Sequence, residues 1–149
     1  MTIFNAMNSS ASALTAERLR MDVVSSNIAN AQTTRATMNE NGEFEPYRRK
    51  MVTVEPRGNS FKSYLQQASG QITGSGVRAV RIEEDETPFK QVYNPNHPDA
   101  NEAGYVQLPN VDPLKEMVDL MSATRSYEAN ITSINASKGM LMKALEIGK

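Results

Sequence analysis

This sequence of 149 residues predicts a mainly α fold: two long terminal helices forming a coiled-coil-like pair, with a short-stranded β-rich insert between them. Three observations carry that reading. Six of the seven prolines and six of the eight glycines fall between about residues 40 and 110, which leaves the two ends free to continue as helices. Apolar residues at both ends recur at intervals of seven, or of three and four. The middle carries short runs of β-branched and aromatic residues broken by turn dipeptides. The chain therefore divides into an N-terminal helical segment (1–35), a β-rich middle (36–110) and a C-terminal helical segment (111–149).

From Ile3 to Ala31 there is neither glycine nor proline, and Met7, Leu14, Met21 and Ile28 mark one line at heptad spacing. Phe4, Ala11, Val24 and Ala31 flank it, interrupted by Arg18. A helix of this length runs roughly 40 Å. Much of its remaining surface is Ser, Asn and Thr, which are weak helix formers, so the segment alone is expected to fray. The second helix is better signposted, because Asp112-Pro113 places an N-cap before a proline at the first helical position. Met117, Leu120, Thr124, Tyr127, Ile131, Ile134, Lys138, Leu141 and Leu145 then follow a 3-4 seam, with Thr124 and Lys138 as its polar breaks. Gly148 is placed to end this helix, and Gly139 weakens its last turns by about 1 kcal/mol relative to Ala. In the middle, strands are expected at Tyr47 to Glu55, Val77 to Glu83, Phe89 to Tyr93 and Tyr105 to Leu108, making a compact knob. Phe61, Tyr64, Leu65 and Ala68 sit at helical spacing instead. Gly74-Ser75-Gly76 and Asn94-Pro95-Asn96 read as turns, and Gly70 as a further flexible point.

Composition excludes several functions. Sixteen basic against seventeen acidic residues give no general footprint for nucleic acid. No apolar run reaches the roughly 18 residues that cross a bilayer, and MTIFNAMNSS lacks the basic start and apolar centre of a cleaved signal, so no direct membrane insertion is expected. The absence of cysteine removes disulfides, thiolate metal sites and cysteine nucleophiles together.

Candidate chemistry is sparse. His97, the only histidine, lies near Asp99 and Glu102, three nitrogen and oxygen ligand types that a divalent metal accepts, but Pro95 and Pro98 make this a turn-rich surface loop. The run Glu83-Glu84-Asp85-Glu86 offers carboxylates for acid-base work on a polysaccharide, yet no second acidic cluster opposes it and no tryptophan offers a sugar platform. It reads as a solvated strand end. Tyr47-Arg48-Arg49-Lys50 suits an acidic partner or a phosphate, or more simply a strand presenting alternate cations to solvent. There is no G-x-S-x-G elbow and no phosphate-binding glycine loop. No catalytic residue, metal or cofactor is assigned.

Surface for assembly remains. Leu, Ile, Val and Phe number 29 of 149 residues, too few to bury two long helices and a sheet in one private core. A private antiparallel hairpin is one way to close the two seams; the short apolar supply favours the other, completion by neighbouring copies through heterologous contacts that build a helical stack. Ser126, Asn130, Ser133 and Ser137, spaced by 4, 3 and 4, form a polar stripe that reads either as a solvated face or as the wall of a water-filled channel. An unrelated coiled-coil adaptor and a small wall-remodelling enzyme are the competing classes.

The stretch Ser26-Asn27-Ile28-Ala29-Asn30-Ala31-Gln32-Thr33-Thr34 resembles the N-terminal signature of the flagellar basal-body rod and hook family. Residues 94–130, NPNHPDANEAGYVQLPNVDPLKEMVDLMSATRSYEAN, resemble its short proximal-rod members in particular. Arg35 stands where hook and distal-rod members generally carry a Gly-aromatic step, and 149 residues leave no room for their large insertions. The resemblance implies a non-enzymatic rod subunit that carries torque toward the hook, exported without signal cleavage and placed outside the cytoplasmic membrane, in the periplasm or cell-wall zone. Its implied partners are other copies of itself, the rod proteins FlgB, FlgF and FlgG, the adaptor FliE and the type III export apparatus. The family's helices form a nested tube around the export channel, with the C-terminal helix inside. The resemblance assigns intersubunit packing and polar registration to Asn27, Ala29, Asn30 and Thr33, and to Arg125, Tyr127, Glu128, Ala129 and Asn130. The apolar seams, chiefly Met7, Leu14, Met21, Ile28, Met117, Leu120, Ile131, Ile134 and Leu141, are expected to supply area between subunits.

Overall fold

The computed structural model describes residues 3–39, 42–57, 68 and 76–148. Helix α1 spans Ile3–Ala29 and helix α2 spans Pro113–Ile147. The start of α2 is built as the sequence predicts: the Asp112 carboxylate accepts the Leu114 amide at 3.1 Å, and Pro113, which has no amide to satisfy, takes the first turn. The two helices are antiparallel, with Asn27 opposite Glu116, Arg20 opposite Asp119 and Met21 opposite Thr124. At 35 residues α2 outruns the 27 of α1 by eight. The two helices thus form, within one chain, the coiled-coil-like pair that the sequence predicts. Buried polar groups, described below, occupy part of the interior between the helices.

Between the helices lie three antiparallel two-stranded ribbons among the described residues. Strand β1 (Thr37–Met38) pairs with β2 (Phe44–Glu45), β3 (Lys50–Pro56) with β4 (Val77–Glu84), and β5 (Lys90–Tyr93) with β6 (Tyr105–Leu108). The four expected runs correspond to β3 to β6; β1 and β2, two residues each, are too short for any alternation to show. The helical spacing of Phe61, Tyr64 and Leu65, and the turn residues Gly70, Gly74 and Ser75, lie outside the described residues.

The middle is not a knob set apart from the helices. Ribbon β3–β4 lies along α1 and is fastened to it at both ends. At one end the Asn27 amide holds the backbone of Lys50; at the other, Ser12 Oγ accepts the Val77 amide at 3.0 Å while donating to the Ser9 carbonyl at 2.7 Å. Gly76 sits against that second point with φ +74, and a Cβ there would collide with Ser12 Oγ, so both the backbone angle and the space require glycine. From Ser12 to Asn27 the helix rises roughly 22 Å and six steps of strand cover about 20 Å, so the two spans match.

The interior is unusual in its largest members. The wholly buried side chains, by volume, are Glu116, Val111, Asn27 and Pro109; the small Ala16 and Ala123 let the backbones approach. The inward face of α2 consists of Glu116, Ala123 and Ser137, all buried, with the half-buried Leu120, Tyr127, Asn130, Ile134 and Leu141. The predicted seam divides between two faces of the helix. Its line through Leu120, Tyr127, Ile134 and Leu141 turns inward, but the companion line is Glu116, Ala123, Asn130 and Ser137, one position earlier than Met117, Thr124, Ile131 and Lys138, which are exposed. The polar residues on the buried line disguised it as solvent-facing.

Candidate functional site

A polar junction ties α1, α2, β3 and the turn after β4 together. Asn27 is wholly buried, and its amide makes four hydrogen bonds. Nδ2 donates to the Lys50 carbonyl at 2.8 Å and to Glu116 Oε2 at 3.0 Å; Oδ1 accepts the Lys50 amide at 2.9 Å and the Tyr47 hydroxyl at 3.0 Å. Its hydrogen-bonding capacity is filled inside the chain. Glu116 is 0% exposed, and Arg49 Nε donates to its other oxygen at 2.6 Å. The Arg49 guanidinium also reaches Asp85 at 3.4 Å and Asp119 at 3.5 Å. Burial works against the charge of Arg49, yet its contacts with Glu116 and then Asp85 outweigh that effect and hold its pKa above the ordinary value. Hydrogen bonding from the Thr87 amide, followed by the Thr87 side chain and Arg49, holds the Asp85 carboxyl below its usual range against partial burial. Asn110 extends the junction: it accepts the Arg49 amide at 2.8 Å and donates to the Asp85 and Thr87 carbonyls. Lys90 Nζ donates to the Val111 carbonyl at 2.9 Å, fastening the approach to α2.

The basic run is therefore not a row of cations facing solvent. Arg49 points inward with its side chain 13% exposed, because a buried carboxylate without a counter-charge would be far costlier than a buried pair. Arg48 stacks over Phe89 at 4.5 Å and Lys50 lies over Tyr47 at 5.7 Å. The acidic run is likewise divided, Glu83 taking the Thr53 hydroxyl and Arg81 while Asp85 turns to Arg49.

The end of α1 accounts for the rest of the Ser26–Thr34 stretch. Asn30 Nδ2 donates back to the Ser26 carbonyl at 2.9 Å, and the Thr33 hydroxyl donates to Asn30 Oδ1 at 3.2 Å. The Thr33 carbonyl accepts the Tyr47 amide at 3.1 Å, and Thr34 donates to Asp99 at 2.8 Å. Arg35 pairs with the same carboxylate and its hydrogen bond, followed by that of Thr34, holds Asp99 well ionised, below the ordinary carboxylate range. Asp99 is thus committed to the start of the middle segment; His97 Nδ1 accepts the Asp99 amide at 3.1 Å, and Glu102 is exposed. Among the described residues no group of three histidine, aspartate and glutamate side chains could hold a metal, and no described helix is long and apolar enough to cross a membrane.

Within the chain, Asn27, Asn30 and Thr33 register its own parts, their side chains bonded internally. Ser137 is buried within the chain and Ser126 and Asn130 are half-buried, the latter's amide donating to the Ser126 carbonyl at 2.8 Å, so only Ser133 of the polar stripe is exposed. The inward rotation of the α2 seam swings that stripe toward the interior, and the four residues do not form one free wall. Met7, Leu14, Met21, Ile28, Leu120, Tyr127, Ile134 and Leu141 are half-buried or buried, whereas Ala29, Met117, Arg125, Glu128, Ala129 and Ile131 are largely on the outer side of the pair. Sequence reading missed the partnership of Arg49 and Glu116 with Asn27; the signal it offers is a glutamate standing where a heptad line running back from Ala123 begins.

The exposed surface of α2 carries large apolar side chains at both of its ends. Leu114, Met117, Val118 and Met121 project from its first turns, and Met140, Met142, Leu145 and Ile147 from its last. Phe4 is exposed at the opposing end of α1. Patches of this kind mark surfaces that associate.

Comparison with known proteins meets the same two ends. Residues 7–37 match the family described as flagella basal body rod protein, and residues 102–147 match the C-terminal family of the flagellar basal body rod FlgEFG proteins. The chain is 63% identical to the flagellar basal-body rod protein FlgC of Bacillus subtilis, covering 100% of both chains. It is 44% identical to FlgC of Borreliella burgdorferi, over 99% of this chain and 98% of that one, and 39% identical to FlgC of Salmonella typhimurium over 100% of each.

Proposed function

Since the chain belongs to the FlgC family of flagellar basal-body rod proteins, whose members are structural rod subunits, we propose that it packs into the proximal rod and transmits torque from the membrane ring toward the hook. The observation that supports this reading is the division of labour in the helical pair. Polar groups fix the two helices against each other, while Leu114, Met117, Val118, Met121 and the α2 terminus keep their apolar side chains outside. A torsion-bearing shaft needs numerous close contacts along stiff elements, and rigid interiors pass strain on. Different exposed patches at the two ends of α2 suit heterologous contacts, which propagate as a helical stack.

In this reading the chain acts without catalysis. Its neighbours are further copies and the other rod proteins FlgB, FlgF and FlgG with the adaptor FliE; it reaches the periplasm or cell-wall zone through the type III export apparatus, and the assembled helices surround the export channel. Met121→Asp and Ile131→Asp test the reading. Each should leave the helical circular-dichroism signal in place while abolishing swimming and the recovery of complete rods. Normal swimming in both variants would refute it.

A further inference from the structure

The apolar pattern of the helical pair does not by itself define how far one helix has slid along the other. Met7, Leu14, Met21 and Ile28 repeat at sevens on α1; on α2, Leu120, Tyr127, Ile134 and Leu141 do the same, as do Ala123, Asn130 and Ser137. Sliding α2 by one heptad, about 10.5 Å, brings like lines back against like lines. The eight-residue excess of α2 over α1 means that one such slide, the one placing Ala123 opposite Asn27, loses almost no helical overlap. In that arrangement the small Ala123 fits the place of Glu116, but Asn27 Nδ2 loses its carboxylate and Arg49 faces Ala123 and Ser126 in place of Glu116 and Asp119. The opposite slide brings Pro109, outside the helix, to Asn27, and is closed.

We infer that Asn27, Arg49 and Glu116 act together as the register-determining element of this subunit, excluding a one-heptad slip that the apolar seams would tolerate. Each is a positioning residue. Asn27 is on α1, Glu116 on α2, and Arg49 enters from the foot of β3, so the helices acquire their register only with the middle segment in place. Buried polar groups are well suited to such a role, because they contribute little net stability when paired and penalise every arrangement that leaves them unpaired. The register so defined is a property of the single chain, whichever neighbours it meets.

The absence of cysteine makes the test direct. Thr124 Oγ1 lies 3.6 Å from Met21 Sδ, so Met21→Cys with Thr124→Cys reports the native register, and Met21→Cys with Ile131→Cys reports the slipped one. In the full-length chain, dilute and treated with a short bifunctional thiol reagent, the native pair should link at least tenfold more than the slipped pair. With Asn27→Leu, Arg49→Met and Glu116→Leu added, helicity should persist and the native-to-slipped ratio should fall at least threefold, the Lys90 and Asn110 contacts keeping part of the preference. An unchanged ratio in this folded triple variant would overturn the inference, as would failure of the native pair to link in the parent chain. Should the triple variant not fold, the isosteric Glu116→Gln decides: a ratio reduced several-fold supports the inference, and an unchanged ratio overturns it.

Discussion

The two ends of the helical pair differ in what fastens their interiors. Where the C-terminus of α1 meets the N-terminus of α2, the interior is ionic and amide-rich, with Asn27 and Glu116 at 0% exposure and bonds arriving from β3 and the turn after β4. At the other end, Phe4, Met140, Met142, Leu145 and Ile147 stand exposed, and α2 runs past its partner. The contrast teaches that order in this subunit is concentrated where polar groups have a single solution, while apolar area for another molecule lies outside at both ends of α2, at Leu114, Met117, Val118 and Met121 as at Met140, Met142, Leu145 and Ile147.

The most severe way to break the contrast is to leave the carboxylate at the junction without its counter-charge. Arg49→Ala should cost about 3–5 kcal/mol of unfolding free energy, measured by denaturant titration, because Glu116 stays buried. Acid probes the same end more gently. Asp85 and Asp99 have lowered pKa values in the folded chain, so each contributes stability that is fully present above the ordinary carboxylate pKa of about 3.9 and is lost as pH falls through the lowered folded value. Stability should therefore be level near neutrality and decline below about pH 4, and Asp99→Asn should flatten that decline. Asp112→Ala, which removes the cap of α2, should cost about 1 kcal/mol. Gly139→Ala should add a similar amount toward the far end, since nothing lies within 4 Å of a Cβ built there. The smallest effect on the fold belongs to Leu145→Asp: its side chain is 73% exposed, so stability should stay within about 0.5 kcal/mol while swimming is lost. Equal damage to stability at both ends would erase the distinction.

Much of this architecture is legible in the letters, and the illegible part has a common cause. Local chemistry announces itself: Asp112-Pro113 marks the start of α2, and short runs of β-branched and aromatic residues between turn residues mark β3 to β6. The junction is silent because its members are 22 and 67 residues apart, Asn27 to Arg49 and Arg49 to Glu116, and each alone looks like a surface residue. A periodicity reading that treats glutamate and serine as outward-facing then rotates the seam of α2 by one position and moves the Ser126–Ser137 stripe with it. The nine-residue family signature could be recognised without its physics; the contacts show Asn27 joining three elements while Asn30 and Thr33 finish a helix.

The double attachment of β3–β4 to α1, at Asn27 and again at Ser12, makes the ribbon a splint. A lone α-helix under torque can unwind turn by turn, each turn yielding separately. Here any unwinding of the stretch between the two fastenings must also shear a hydrogen-bonded ladder of matching length, so the load is shared by two elements that fail in different ways. A rotary axle made of such members would gain stiffness from the middle of the chain as well as from its coiled ends.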